Sequence, residues 1–183
     1  MLFRSRPVAS LSGNGWRPYL QALAALAERW DRPVVWLPFH REQDSTLLAD
    51  LRGEELVPEA LLARSSVQRP ETPAQAIELL SSAGLVVAMR LHGLILAALA
   101  GAPVAALSYD PKVAAAAAAI GCDCREIGSD NADTLLTAWS ACVDQPPDGQ
   151  RLLAIRGEAE RHRQVLSSLV SAPSSISWQD GGR

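Results

Sequence analysis

Short apolar runs alternate along this chain with longer stretches of helical period. Residues 16–30 put Tyr19, Leu20, Leu23, Leu26 and Ala27 on one face, the spacing of an amphipathic helix. Val34, Val35, Trp36 and Leu37 form a run too short for a helix and too continuously apolar for a surface strand, so they predict a buried strand that Pro38 ends. Residues 85–89 and 104–108 read the same way, and shorter strands are predicted at residues 2–8 and 124–127. Between them lie helical patterns at residues 44–52, with Leu47, Leu48 and Leu51 on one face, and at residues 72–82, 94–100, 112–120, 133–142 and 149–170.

The boundaries are marked by residues with a physical reason to be there. Asp44 is placed to cap the helix after Pro38, and Thr72 followed by Pro73 opens another. Asp110 followed by Pro111 is a compact start signal: the carboxylate accepts from free helix amides, and proline at the first helical position forfeits no hydrogen bond. Ala114 to Ala119 then propagate the helix and Gly121 ends it. Strands alternating with helices at this spacing predict an α/β fold, a Rossmann-like doubly wound parallel sheet that binds ligands beyond the carboxyl ends of its strands. One domain is expected over residues 1–171, with a Ser- and Gly-rich flexible tail at 172–183.

Composition narrows the function classes. A chain of 183 residues with 48% apolar and 20% charged residues has enough material for one core. Seventeen basic against twenty acidic groups, with no dense basic run, leave no footprint for a nucleic acid. Residues 94–107 are too short to span a bilayer and are broken by Gly101 and Pro103, so no membrane span is expected. Cys122, Cys124 and Cys142 lack zinc-site spacing, and a reducing cytoplasm is the simplest setting; no metal is expected. No Gly-x-Ser-x-Gly elbow, phosphate-binding P-loop, Gly-x-Gly-x-x-Gly or His-Glu-x-x-His appears, which removes support from hydrolase, NTPase and dehydrogenase readings.

Lys112 is the only lysine among seventeen Lys and Arg residues, in a chain that otherwise uses arginine. An ammonium is a compact point charge on a flexible stem, which a guanidinium does not reproduce. His92 and Lys112 are twenty residues apart, the length of one turn, one helix and one strand, so both are expected on the same sheet edge. Arg90 joins them there, and no acidic residue lies between Met89 and Tyr109, so the three favour one bound anion. An internal salt bridge is the alternative for Arg90, and a turn-stabilising bond to a carbonyl is the alternative for His92. The loop Pro38-Phe39-His40-Arg41-Glu42-Gln43-Asp44 is placed to reach the same rim, where Asp44 serves as ligand contact or as helix cap.

Arg90-Leu91-His92, then Gly101-Ala102-Pro103, then Tyr109-Asp110-Pro111-Lys112 form a block that resembles the polysaccharide pyruvyl transferase family, in particular its CsaB-like branch. Leu37-Pro38-Phe39-His40 with Asp44 looks like the family's Pro-Phe-Gln-x-x-x-Asp segment, histidine replacing glutamine. The likeness runs from about residue 2 to about residue 170. It implies transfer of the pyruvyl group of phosphoenolpyruvate onto two hydroxyls of a cell-surface polysaccharide sugar, forming a cyclic ketal and releasing phosphate. It also implies a two-domain transferase of GT-B type, of which this chain resembles the C-terminal half, with an N-terminal domain missing. On that reading His92 and Lys112 are catalytic, and Arg90, His92, Lys112, Tyr109 and Asp44 bind substrate. The partners are phosphoenolpyruvate, as donor substrate rather than cofactor, and a saccharide acceptor. The competing expectations are the C-terminal domain of a nucleotide-sugar glycosyltransferase and a non-catalytic anion-binding remnant.

Overall fold

The computed structural model describes residues 13–39 and 44–171. After a 3-10 turn at Gly13–Trp16, the order is α1 (Arg17–Arg29), β1 (Val34–Trp36), α2 (Leu47–Gly53), α3 (Glu59–Ala63), β2 (Ser65–Val67) and α4 (Pro73–Ser81). It continues with β3 (Val86–Ala88), α5 (Leu91–Leu99), β4 (Val104–Ser108), α6 (Pro111–Ile120), β5 (Asp123–Glu126), α7 (Ala132–Cys142) and α8 (Gly149–Ser171). Among the described residues all the pairings are parallel, which fits a Rossmann-like α/β fold. β1 pairs with β2, and β4 lies between β3 and β5.

The period-two alternation of β3 and β4 divides the core between two helix layers. Val87, Met89, Ala105 and Leu107 point to one face, where they meet Tyr19, Leu20 and Leu23 of α1 and Leu135 and Trp139 of α7. Val86, Ala88, Val104 and Ala106 point to the other, against Leu80 of α4, Leu94, Ala97 and Ala98 of α5, and Val113 and Ala117 of α6. Both faces are covered, which is why these strands read as continuous apolar runs.

Several boundaries follow their sequence signals. Thr72 and Gln75 form a capping box at α4, with Gln75 N donating to Thr72 Oγ1 at 3.2 Å. Asp110 Oδ1 accepts from Lys112 N at 2.8 Å at the start of α6, and Gly121 closes that helix with φ of 78°, a left-handed value that costs glycine nothing.

Other expectations are corrected. Asp44 does not cap α2: Thr46 holds that position without a side-chain bond, and the Asp44 carboxylate is used elsewhere. The helix expected at residues 94–100 begins earlier, because α5 already starts at Leu91. Its early start is masked in sequence by an N-cap arginine with no capping side chain. The short elements α3 and β2 were not anticipated; Ser65 and Ser66 carry no apolar signal, and Ser65 instead accepts from Trp36 Nε1 at 3.0 Å. A single sheet was expected, whereas among the described residues β1–β2 and β3–β4–β5 form no ladder with each other. Between them lies a cavity of about 580 Å³, bounded by Val34 and Val35, by Val86 and Val87, and by α1 and α4 through Leu23 and Leu79. The predicted strand at 2–8, residues 40–43 and the tail at 172–183 lie outside the described residues.

Two packing features yield measurable consequences. The Trp139 side chain is fully buried, and its indole Nε1 has no hydrogen-bond partner among the described residues. Trp139→Ala is expected to cost about 3–5 kcal/mol in a urea melt, and Trp139→Phe much less, because phenylalanine also removes the orphaned donor. Burial, with a smaller contribution from neighbouring Cys124, pushes the Cys122 thiol up to about 12. At pH 8 almost none of it is thiolate, so iodoacetamide is expected to modify Cys122 in the folded chain more than about a hundredfold slower than in the unfolded chain. Equal rates in the two states would contradict this placement.

Candidate anion site at the strand ends

The carboxyl ends of β1, β3 and β4 carry most of the residues singled out in the sequence. β3 and β4 are hydrogen-bonded neighbours with Ala88 opposite Ala106. Continuing that register brings Arg90 level with Ser108. Adjacent strands are about 4.8 Å apart, so the chains leaving them begin side by side. From one, α5 starts at Leu91 with His92 in its first turn; from the other, α6 starts at Pro111 with Lys112 in its first turn. Two helices therefore direct their positive ends to the same edge.

The two helix starts differ. At α6 the Asp110 carboxylate takes the Lys112 amide, and Ser108 Oγ donates to the Asp110 carbonyl at 3.0 Å, so the loop is internally satisfied. At α5 the N-cap is Arg90, in extended conformation with φ of −98° and ψ of 134°, and no side chain caps the first turn. Nor does that turn contain an acidic residue. Its amides are thus available to an anion, as those of α6 are only in part.

The cations differ as well. Arg90 donates through Nη2 to Asp44 Oδ1 at 2.5 Å and through Nε to Asp44 Oδ2 at 3.1 Å. The Asp44 side chain is 1% exposed and that of Arg90 12%. Phe39 N also donates to Asp44 Oδ2, at 3.1 Å, so one carboxylate joins the end of β1 to the start of α5. His92 and Lys112, by contrast, are exposed and make no side-chain hydrogen bond or ion pair among the described residues. Tyr109 is half-buried and packs against the α1 side of the core. The structure thus brings Arg90, His92, Tyr109 and Lys112 to one edge and ties Asp44 to it. The internal salt bridge held as the alternative for Arg90 is the arrangement found; what the sequence left unnamed was its partner, Asp44, which follows a different buried strand.

Elsewhere, among the described residues, no three His, Cys, Asp or Glu side chains are grouped to hold a metal ion. No helix among them is long and apolar enough to cross a membrane. The cavity between β1 and β3 is lined by Pro33 and Gly84, which precede those strands, and by Leu37, which follows β1, but by none of Arg90, His92, Tyr109 and Lys112.

No curated protein and no solved structure matched the chain. One family model does match, that of polysaccharide pyruvyl transferase, over residues 9–111. The matched region covers more than half of the chain and includes Asp44, Arg90, His92 and Tyr109, ending one residue before Lys112. On that match, the chain belongs to the polysaccharide pyruvyl transferase family.

Proposed function

We propose that this chain is the phosphoenolpyruvate-binding half of a CsaB-like pyruvyl transferase that modifies a cell-surface polysaccharide. Two exposed basic side chains, His92 and Lys112, which make no side-chain hydrogen bond or ion pair among the described residues and lie in the first turns of consecutive helices at one sheet edge, carry this reading. Phosphoenolpyruvate presents a phosphate and a carboxylate, and His92 and Lys112 are placed to receive them.

In the reaction, protonation of the enol methylene places positive charge on the adjacent carbon. One sugar hydroxyl adds there and loses its proton. Departure of phosphate and attack by a second hydroxyl, which also loses its proton, close the ketal. Lys112 stabilises the charge that develops on the leaving phosphate, and His92 donates a proton or binds the same group. Arg90 and Tyr109 complete the edge on which the donor rests. An opposing domain in a GT-B arrangement supplies acceptor recognition and closes water out of the cleft.

A nucleotide-sugar glycosyltransferase would also place diphosphate at strand ends, with a carboxylate free to bind ribose hydroxyls. Of the carboxylates at this edge, Asp44 is bonded to Arg90 and Asp110 to the Lys112 amide, while exposed Glu126, level with Ser108 at the end of β5, makes no side-chain bond among the described residues, so relative binding of the two donors separates the readings.

Titration with phosphoenolpyruvate, followed by ³¹P resonance or calorimetry, tests the assignment. Lys112→Ala and His92→Ala are each expected to weaken binding about tenfold or more, equivalent to ~1.4 kcal/mol. Lys112→Ala should change folding stability by only about 0.5 kcal/mol, since the side chain is solvent-facing. Lys112→Arg should also lose affinity, because the fork changes the reach and shape of the charge. Unchanged affinity in both alanine variants, or tighter binding of a nucleotide sugar than of phosphoenolpyruvate, would overturn the proposal.

A further inference from the structure

We propose that Asp44 and Arg90 are positioning residues: their buried ion pair holds the first turn of α5, and thereby His92, in the geometry that receives the donor anion. The inference rests on the donor-binding reading above and assigns the pair a role other than direct ligand contact.

The geometry separates a strut from a clamp. Arg90 presents the Nε and Nη2 edge of its guanidinium, the edge that grips a carboxylate or phosphate in two parallel bonds, to Asp44 rather than to the open rim. The Asp44 side chain is 1% exposed, so this is an internal bond. The same carboxylate accepts from Phe39 N, which fixes it to the chain leaving β1. At its other end, Arg90 is the N-cap of α5, and its carbonyl accepts from Leu94 N at 2.9 Å. The side chain is therefore anchored across the sheet edge while the backbone of the same residue begins the helix. His92 follows two residues later. With no capping side chain to define that turn, the ion pair supplies the lateral constraint.

Asp44→Asn distinguishes the possibilities by sign. It removes a negative charge near an anion site and leaves Arg90 charged, so Coulomb attraction alone, or a role for Arg90 as a clamp, makes phosphoenolpyruvate bind more tightly. A positioning role makes it bind more weakly despite the added positive charge. We expect about tenfold or greater weakening in Asp44→Asn. The double variant Asp44→Asn/Arg90→Gln restores a neutral amide pair and should bind no more weakly than the single variant, a non-additive result.

Backbone amide resonances of Leu91, His92 and Gly93 provide a ligand-free reading and should shift in Asp44→Asn, while those of α8 stay in place. Thermal melts establish that each variant is folded at the assay temperature. Where Asp44→Asn is not folded, the double variant takes its place, since it leaves no uncompensated charge, and its first-turn amides should still shift from their wild-type positions. Equal or tighter binding in Asp44→Asn, or unmoved first-turn amides in the folded variant, would overturn the positioning role. Failure of the unaltered chain to bind phosphoenolpyruvate would overturn the donor reading instead, and the amide shifts would then decide the positioning of α5 alone.

Discussion

The parallel pairing of β3 with β4 is the constraint on which the rest of the site depends. Because both strands are buried on both faces, their register cannot slip without turning Val87 and Met89 away from α1, or Val86 and Ala88 away from α5. A fixed register fixes where each chain leaves the sheet. The two departing segments become the N-terminal turns of α5 and α6, and the side chains that matter, His92 and Lys112, are the second residue of each helix. Core packing thus decides the position of charges that make no contribution to the core.

Around that frame the charges have separate tasks. Asp44 and Arg90 neutralise one another in a nearly dry setting, where breaking the pair would leave a buried charge without compensation, a loss of several kcal/mol. Asp110 is committed to the backbone of α6 and Ser108 to the carbonyl that follows it. His92 and Lys112 have no such commitments among the described residues.

Much of this was legible in the sequence because local rules and tertiary structure agree there. Asp110-Pro111 and Gly121 bracket α6, Thr72-Pro73 opens α4, and the continuous runs at β3 and β4 identify strands covered on both sides. What escaped depends on contacts between distant residues. Ser65–Val67 is a strand because the backbone of β1 pairs with it, which the side chains do not announce. Asp44 looks like a helix cap in isolation; only the fold brings it to Arg90, 46 residues away. The start of α5 at Leu91 was hidden because its N-cap is an arginine, a residue type without capping preference. Division of the expected single sheet into two ladders is likewise a tertiary property, since nothing in the apolar runs specifies which strand lies beside which.

The central claim is that His92 and Lys112 belong to one anion site rather than to two unrelated solvent-facing helix ends. A crystal structure of the chain with phosphoenolpyruvate tests it most directly. The account predicts an anionic group of the ligand within about 3.2 Å of both the His92 imidazole and Lys112 Nζ, beside the first-turn amides of α5, with the Asp44–Arg90 pair intact. Ligand bound in the cavity between β1 and β3, or at a place that neither His92 nor Lys112 touches, would contradict it.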